Sequence, residues 1–492
     1  RMNAHPPLTF YWHDYETFGL SPAKDRPAQF AGVRTDMNFN VIGAPLMTYC
    51  QPMADYLPSP ESCLITGITP QLCAENGVPE PQFARHIHRE LARPNTIGVG
   101  YNSLRFDDEV TRFMFWRNFI PPYQREFSNG CSRWDIIDMV RCVYALRPEG
   151  VVFPQDETGK VSLRLEKLSA ANGLAHDAAH DALSDVQATI ALAKLIKKAQ
   201  PRLFEFCLNL RDKNVVQTTI GWPYTRTVAP KPLIHVSGMF GAERRFLAIV
   251  YPLAIHPVNK NELIVWDLAH DITPLSQLSV DEIRQRMFTS VDELASLGLS
   301  RLPIKTIHIN KSPVVIAQLK TLNDTQAQAC GVDWDVIEAH EANAQAQFDA
   351  LQKIDWQAVF AREYDDAQRS AEEALYGGAF ISDADYRQAN LAINADGAPT
   401  GVIPKFKDAR LTELWWRYRA RFYPETLSAN EQAQWQEWRA EQLLGINGEG
   451  GMDALTDELN QLASEYAEQP EQLDILRAVH AHAQSLVEDL EQ

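Results

Sequence analysis

Short runs rich in β-branched and aromatic residues mark positions 8–12 (LTFYW), 29–34, 45–50 and 96–101 (TIGVGY), and stretches of helical period follow near 81–92, 108–119, 134–146 and 182–198. Strands come first and alternating helices after, which predicts a layered α/β (α+β) domain over residues 1–200. Between 201 and 355 the pattern changes to the strand-like pieces KPLIHVSGMF, RRFLAIVYPLAIHP and NELIVWDLA, separated by Pro, Gly and Asn. A second, β-rich domain is predicted there. From 356 to 492 Ala, Glu, Gln, Leu and Trp dominate and β-branched runs are few, which predicts a helical third domain. NGEGG at 447–451 reads as a loop between helices.

Composition agrees with three packed domains. The chain has 492 residues, 45% of them hydrophobic, which excludes wholesale disorder. Its seven cysteines form no C-x-x-C pair, so neither a zinc site nor a disulfide framework is expected, and a reducing cytoplasmic setting is. No basic segment followed by an apolar stretch opens the chain and no run of about 18 apolar residues occurs, so neither secretion nor a membrane partner is expected. The net charge of −18 argues against a basic nucleic-acid coat protein, but it is unevenly placed. Residues 1–250 hold 27 basic and 25 acidic side chains, and residues 251–492 hold 19 and 39. In 451–492 one Arg faces ten acids, which predicts a solvated helical exterior.

Three segments carry chemistry. His13-Asp14-Tyr15-Glu16-Thr17-Phe18-Gly19 follows the opening strand, and in an extended strand the carboxylates of Asp14 and Glu16 project to one face. Paired carboxylates repel unless a proton or a divalent cation relieves them. Gly100-Tyr101-Asn102-Ser103-Leu104-Arg105-Phe106-Asp107 ends a strand and opens a helix, with Phe106 as an apolar anchor setting the direction of Asp107. His180-Asp181-Ala182-Leu183-Ser184-Asp185 opens an Ala/Leu/Ile-rich helix. Were both helical, His180 and Asp185 would lie too far apart around the axis to act on one point. His180 is therefore expected in the preceding loop and Asp185 in the first or second turn.

Four carboxylates from three separated segments, plus a histidine just before the last acid, resemble the DEDD exonucleases of the subgroup whose fifth residue is His. HDYETFG, RPAQFAGVRTD, LITGITP, GYNSLRFDDEVTR, SRWDIID, YALRPEG, HVSGMFGA and FISDAD extend the resemblance, in particular to the bacterial exonuclease I family, from about residue 8 to beyond 420. The resemblance implies an RNase H-like exonuclease domain, then an SH3-like β domain and a helical C-terminal domain, in a C-shaped body around single-stranded DNA. It also implies a monomeric 3′→5′ exonuclease that releases 5′-mononucleotides and serves DNA repair and recombination.

Hydrolysis of a phosphodiester needs an attacking hydroxide and neutralisation of the leaving oxygen, which two divalent ions about 3.5–4 Å apart supply. Asp14 is expected to bridge two Mg²⁺ ions, with Mn²⁺ as substitute, and Glu16, Asp107 and Asp185 to complete the ligation. His180, with an ordinary pKa of about 6.5, is neutral enough at pH 7 to act as general base. Two other readings fit the same motifs: a DEDDh exoribonuclease, and a catalytically weak single-strand DNA-binding scaffold. The long chain beyond residue 200 weighs against the first, and the presence of all five motif residues against the second.

A flexible strand is held by its phosphates and bases, so Arg and aromatic residues are the candidates for substrate contact. These are Glu16, Arg112, Tyr123, Phe127, Arg141, Arg164 and Phe380, with Arg164 as the foremost phosphate ligand. Trp415, Tyr418 and Phe422 fall on one helical stripe and are expected in a helix core. The family resemblance further implies binding of the acidic C-terminal tail of the single-strand DNA-binding protein. Such a tail requires a basic ridge beside an apolar pocket, for which Arg147, Lys231, Gln318 and Lys320 are the candidates. Asn323 stands where an arginine is expected in that site.

Overall fold

The computed structural model describes residues 5–176, 180–221, 228–362, 369–446 and 449–492. Residues 447 and 448 of the expected NGEGG loop lie outside them. The chain divides into two compact units that are not contiguous in sequence. The first comprises 1–132, 176–190 and 367–492, and the second 133–175 and 191–366.

In the first unit, strands β1 (Thr9–Thr17), β2 (Pro27–Thr35), β3 (Leu46–Tyr49) and β4 (Thr96–Gly100) lie in the order β3-β2-β1-β4. β1 pairs antiparallel with β2 and parallel with β4, and β2 pairs antiparallel with β3. The strand period sorts β1 cleanly. Tyr11 and Tyr15 enter a core with Phe30, Phe83, Ile87, Met114 and Phe115, while the opposite face carries Phe10 and Trp12 and then turns polar at Asp14 and Glu16. A register shift between Glu16 and Thr17 ends the regular pairing just beyond the acids. Gly19 then passes so close to Asp25 that a Cβ there would sit 2.1 Å from its carboxyl carbon.

Helix α1 (Asp107–Arg117) follows β4, and α2 (Ala182–Ala199) carries the third motif. The first unit is completed by α3 (Ala409–Phe422), α4 (Ala429–Leu444), α5 (Gly451–Glu465) and α6 (Pro470–Leu490). The Trp415 stripe is core, as expected: Trp415 and Tyr418 are buried with Phe113 and Trp116 of α1 and with Phe119 just beyond it. Arg417 and Arg421 of α3 meet acids of the chain itself, Arg417 pairing with Glu372 at 2.6 Å and Arg421 with Asp55 at 2.9 Å. The acid-rich end is more than an exterior. Leu455, Leu459, Leu476 and Val479 of α5 and α6 pack with Phe18, Cys63, Ile68 and Cys73, while Asp453, Asp457, Glu465, Glu471 and Asp474 are exposed.

The second unit holds a five-stranded antiparallel sheet of β5 (Leu233–Val236), β6 (Leu247–Ile255), β7 (Glu262–Asp267), β8 (Ile304–His308) and β9 (Val314–Ile316), in the order β9-β5-β6-β7-β8. Its core joins Leu233, Val250, Leu263, Val265 and Ile307. All seven cysteines are free and buried, in keeping with the absence of a disulfide framework. No described helix is long and apolar enough to cross a membrane.

Candidate active site

The end of β1, the start of α1 and the first turn of α2 bring the predicted acids together. One carboxylate oxygen each from Asp14, Glu16 and Asp185 lie within 4.8 Å of one another. Asp107, the first residue of α1, is buried, and its Oδ1 accepts a bond of 3.4 Å from the backbone N–H of Tyr15, the residue between the two strand acids. Phe106 packs against the core shared by β1 and α1, so it anchors Asp107 as the sequence suggested. Asp181 accepts from the Ser184 N–H at 3.0 Å and so closes the first turn of α2, where Asp185 sits. The Ala182 N–H points at Gln29 Oε1, 3.4 Å away on β2, which sets this helix end against the sheet.

Crowding of like charges shows in the acidities. Burial and the neighbouring Asp14, Asp185 and Asp181 carboxylates push Glu16 up to about 9. Burial, then Asp107 and Asp185, holds Asp14 well above the ordinary carboxylate range. Burial also raises Asp185, against the opposing effect of His176. A cluster of hard oxygen donors that cannot all ionise alone fits a divalent cation, whose charge would relieve the repulsion.

The two histidines before α2 differ. His176 places Nε2 2.6 Å from Asp185 Oδ1, and its ring is almost wholly buried. His180 is exposed, in a left-handed conformation at φ 64°, with its backbone N–H bonded to Asp185. His176 escaped the sequence reading. The repeat of His at 176 and 180 was the available signal. His13, beside the first motif, is buried away from water, and burial and Arg125 lower it to about 4, so it stands neutral in the core.

The substrate-contact candidates are distributed unevenly. Arg112 is buried and committed: it makes bonds of 2.8 and 2.6 Å to the Glu126 carboxylate and also meets Glu109 and the Tyr376 hydroxyl. Its guanidinium lies 4.8 Å from the Tyr123 ring centre, and Tyr123 in turn meets Phe380 edge-on at 5.7 Å. Phe380 and Phe127 are 86% and 69% exposed, so both offer apolar faces to solvent. In the second unit Arg164 is exposed, 3.8 Å from Glu166, and Arg141 pairs with Asp138 at 2.8 Å. Arg147 donates to the Thr321 carbonyl at 2.9 Å, beside the exposed Lys320 and Gln318. Lys231 is also exposed. Asn323 caps the helix Asp324–Ala329, accepting from Gln326 N–H at 2.8 Å. The cavity of about 470 Å³ in the first unit, lined by Lys24, Asp25, Tyr56, Glu372 and Trp438 among others, contains none of these candidates.

Comparison with known proteins gives the same motifs a lineage. The Exonuclease family matches residues 11–193, the Exonuclease I SH3-like domain residues 211–362, and the Exonuclease I C-terminal domain residues 369–486. The chain is 43% identical to exodeoxyribonuclease I of Haemophilus influenzae over 485 residues, covering 98% of this chain and 99% of that protein. It is 42% identical to the Escherichia coli enzyme, covering 97% and 98%. The crystal structure of E. coli exonuclease I in complex with a dA16 oligonucleotide superposes with a TM-score of 0.89 at 41% identity, covering 97% of this chain and all of that one. Exonuclease I from Methylocaldum szegediense gives a TM-score of 0.87 at 40% identity, covering 98% of this chain and all of that one. A nuclease segment, an SH3-like segment and a C-terminal segment in this order, matched along nearly the whole length, place the chain in the exodeoxyribonuclease I family.

Proposed function

We infer that this chain is a metal-dependent 3′→5′ exonuclease that degrades single-stranded DNA to 5′-mononucleotides. The observation that carries the reading is the convergence of Asp14, Glu16 and Asp185 within 4.8 Å, beside Asp107, on a segment of the Exonuclease family. Asp14, Glu16, Asp107 and Asp185 would hold the metal, with Mg²⁺ as the resident ion and Mn²⁺ as its substitute. When bound, divalent metal supplies Lewis acidity and charge neutralisation at the scissile phosphate.

The chain's own residues do the rest. His180, exposed beside the acids, accepts a proton from the attacking water. The bond from phosphorus to the 3′ oxygen of the penultimate nucleotide breaks, leaving a new 3′ hydroxyl and a free 5′-mononucleotide. Phe380, Phe127 and Tyr123 offer rings to bases, and Arg164 and Arg141 offer charge to phosphates. Arg112 serves chiefly to order Tyr123 and Glu126. We further propose that Arg147, Lys231, Gln318 and Lys320 receive the acidic tail of the single-strand DNA-binding protein, and that the protein acts as a cytoplasmic monomer in repair and recombination. The functional segments on this reading are 1–200, 201–355 and 356–492.

Single-stranded DNA, duplex DNA and RNA of one sequence, each 5′-labelled, separate the readings in one assay. Shortening of single-stranded DNA from its 3′ end, well ahead of the other two, is expected. Faster loss of RNA would favour the exoribonuclease reading, and binding without shortening the scaffold reading.

A further inference from the structure

Asp185 is held by two donors that precede it in the chain. His176 Nε2 lies 2.6 Å from Oδ1, and the backbone N–H of His180 also reaches the carboxylate. A carboxylate that ligates metal is ionised and only accepts, so in that state the His176 proton resides on Nε2 and the ring donates. The other ring nitrogen, Nδ1, is buried and has no hydrogen-bond partner among the described residues. Among the described residues the ring therefore has one polar contact, Asp185. The left-handed turn at His180, unusual for a residue with a Cβ, is what directs the second donor.

We propose that His176 is a positioning residue that fixes Asp185 as a metal ligand, committing one carboxylate oxygen to the imidazole so that the other is presented to Asp14 and Glu16. Second-sphere donors of this kind orient carboxylate ligands and remove the rotational freedom that binding would otherwise have to freeze. The inference rests on the reading that the acid cluster holds metal. His176 transfers no proton in this role and touches no substrate, which separates it from His180.

The test compares the unmodified full-length protein with His176→Leu, which keeps apolar volume without a donor, and His176→Gln, whose amide N–H replaces Nε2–H. Mn²⁺ binding is measured directly from the electron paramagnetic resonance signal of free Mn²⁺, with thermal melting in chelator as a folding control. For His176→Leu the Mn²⁺ dissociation constant is expected to rise about ten-fold or more, and His176→Gln to stay within about threefold of the unmodified protein. The rate at low Mn²⁺ falls in parallel for His176→Leu and recovers in excess Mn²⁺, while KM for single-stranded DNA is unchanged. Equal Mn²⁺ affinity in His176→Leu and the unmodified protein would overturn the role of His176 alone, as would a His176→Gln variant as impaired as His176→Leu. Absence of Mn²⁺ binding by the unmodified protein would instead overturn the metal reading beneath it. Should the variants fail to fold, the imidazole N–H of His176 in the unmodified protein decides: a protected Nε2–H proton in the Mg²⁺-loaded protein is expected, and its absence contradicts the proposal.

Discussion

The phenolic oxygen of Tyr15 lies 2.8 Å from Thr111 Oγ1, joining the strand that carries Asp14 and Glu16 to the helix that begins at Asp107. Thr111 gives its own proton to the Asp107 carbonyl at 3.0 Å, so Tyr15 is the donor of the pair. A short relay of two hydroxyls thus ties two of the three acid-bearing segments. Tyr15→Phe leaves the threonine proton satisfied and should cost about 1 kcal/mol of stability, the ordinary worth of one such bond. Denaturant unfolding checks this; an unchanged midpoint would mean that the bond holds nothing.

Glu16 gives the cluster a distinct dependence on pH. Its pKa is raised in the folded chain from 4.5 to about 9 by burial and by Asp14, Asp185 and Asp181, so the fold binds a proton that the unfolded chain releases. Stability contributed by that proton is complete below the unfolded value and is lost as pH rises toward 9. In chelator, therefore, melting temperature should fall between pH 5 and 9 for the unmodified protein. Glu16→Gln should flatten this fall and melt higher at pH 8, while losing exonuclease activity. Mg²⁺ should stabilise the unmodified protein increasingly as pH rises. A Glu16→Gln variant with the same pH slope would contradict the assignment.

Arg112 and Arg164 look alike in sequence and should behave oppositely. Removing Arg112 leaves Glu126 half-stripped of its partner in a buried setting, a loss of about 3 kcal/mol by analogy with other buried pairs. Arg164→Ala removes an exposed charge and should leave stability unchanged, while weakening single-stranded DNA binding and reducing the slope of log affinity against log salt by about 0.7. Melting curves and salt titrations of the two variants distinguish these outcomes.

The proposed tail site predicts that Lys320→Ala weakens binding of a peptide ending in the acidic tail of the single-strand DNA-binding protein, with no change in exonuclease rate on naked DNA. Lys320 is preferred to Arg147 for this test, because Arg147 also supports the Leu146 and Thr321 carbonyls. No measurable binding of the peptide by the unmodified protein would end the proposal.

Much of the acid cluster was legible because it depends on local geometry. The strand period alone puts Asp14 and Glu16 on one face, and a helix start after an apolar anchor aims Asp107. What was not legible depends on partners far along the chain. Arg112 reads as a free basic residue until Glu126 and Tyr376 are seen to occupy its guanidinium. Two histidines four apart cannot be ranked by spacing: the ring of His176 meets Asp185, whereas His180 sits in a left-handed backbone conformation. The acidic end shows the same limit: its charges suggest an exterior, whereas its leucines pack against residues more than 370 positions earlier, such as Cys73.

Whether these four carboxylates make a metal-dependent 3′→5′ exonuclease is decided by digestion of 5′-labelled single-stranded DNA in Mg²⁺, in excess chelator, and by Asp14→Ala. A ladder shortening from the 3′ end, with 5′-mononucleotides released, is expected only for the unmodified protein in Mg²⁺. Undiminished digestion in chelator, or by Asp14→Ala in Mg²⁺, would contradict the metal-dependent reading.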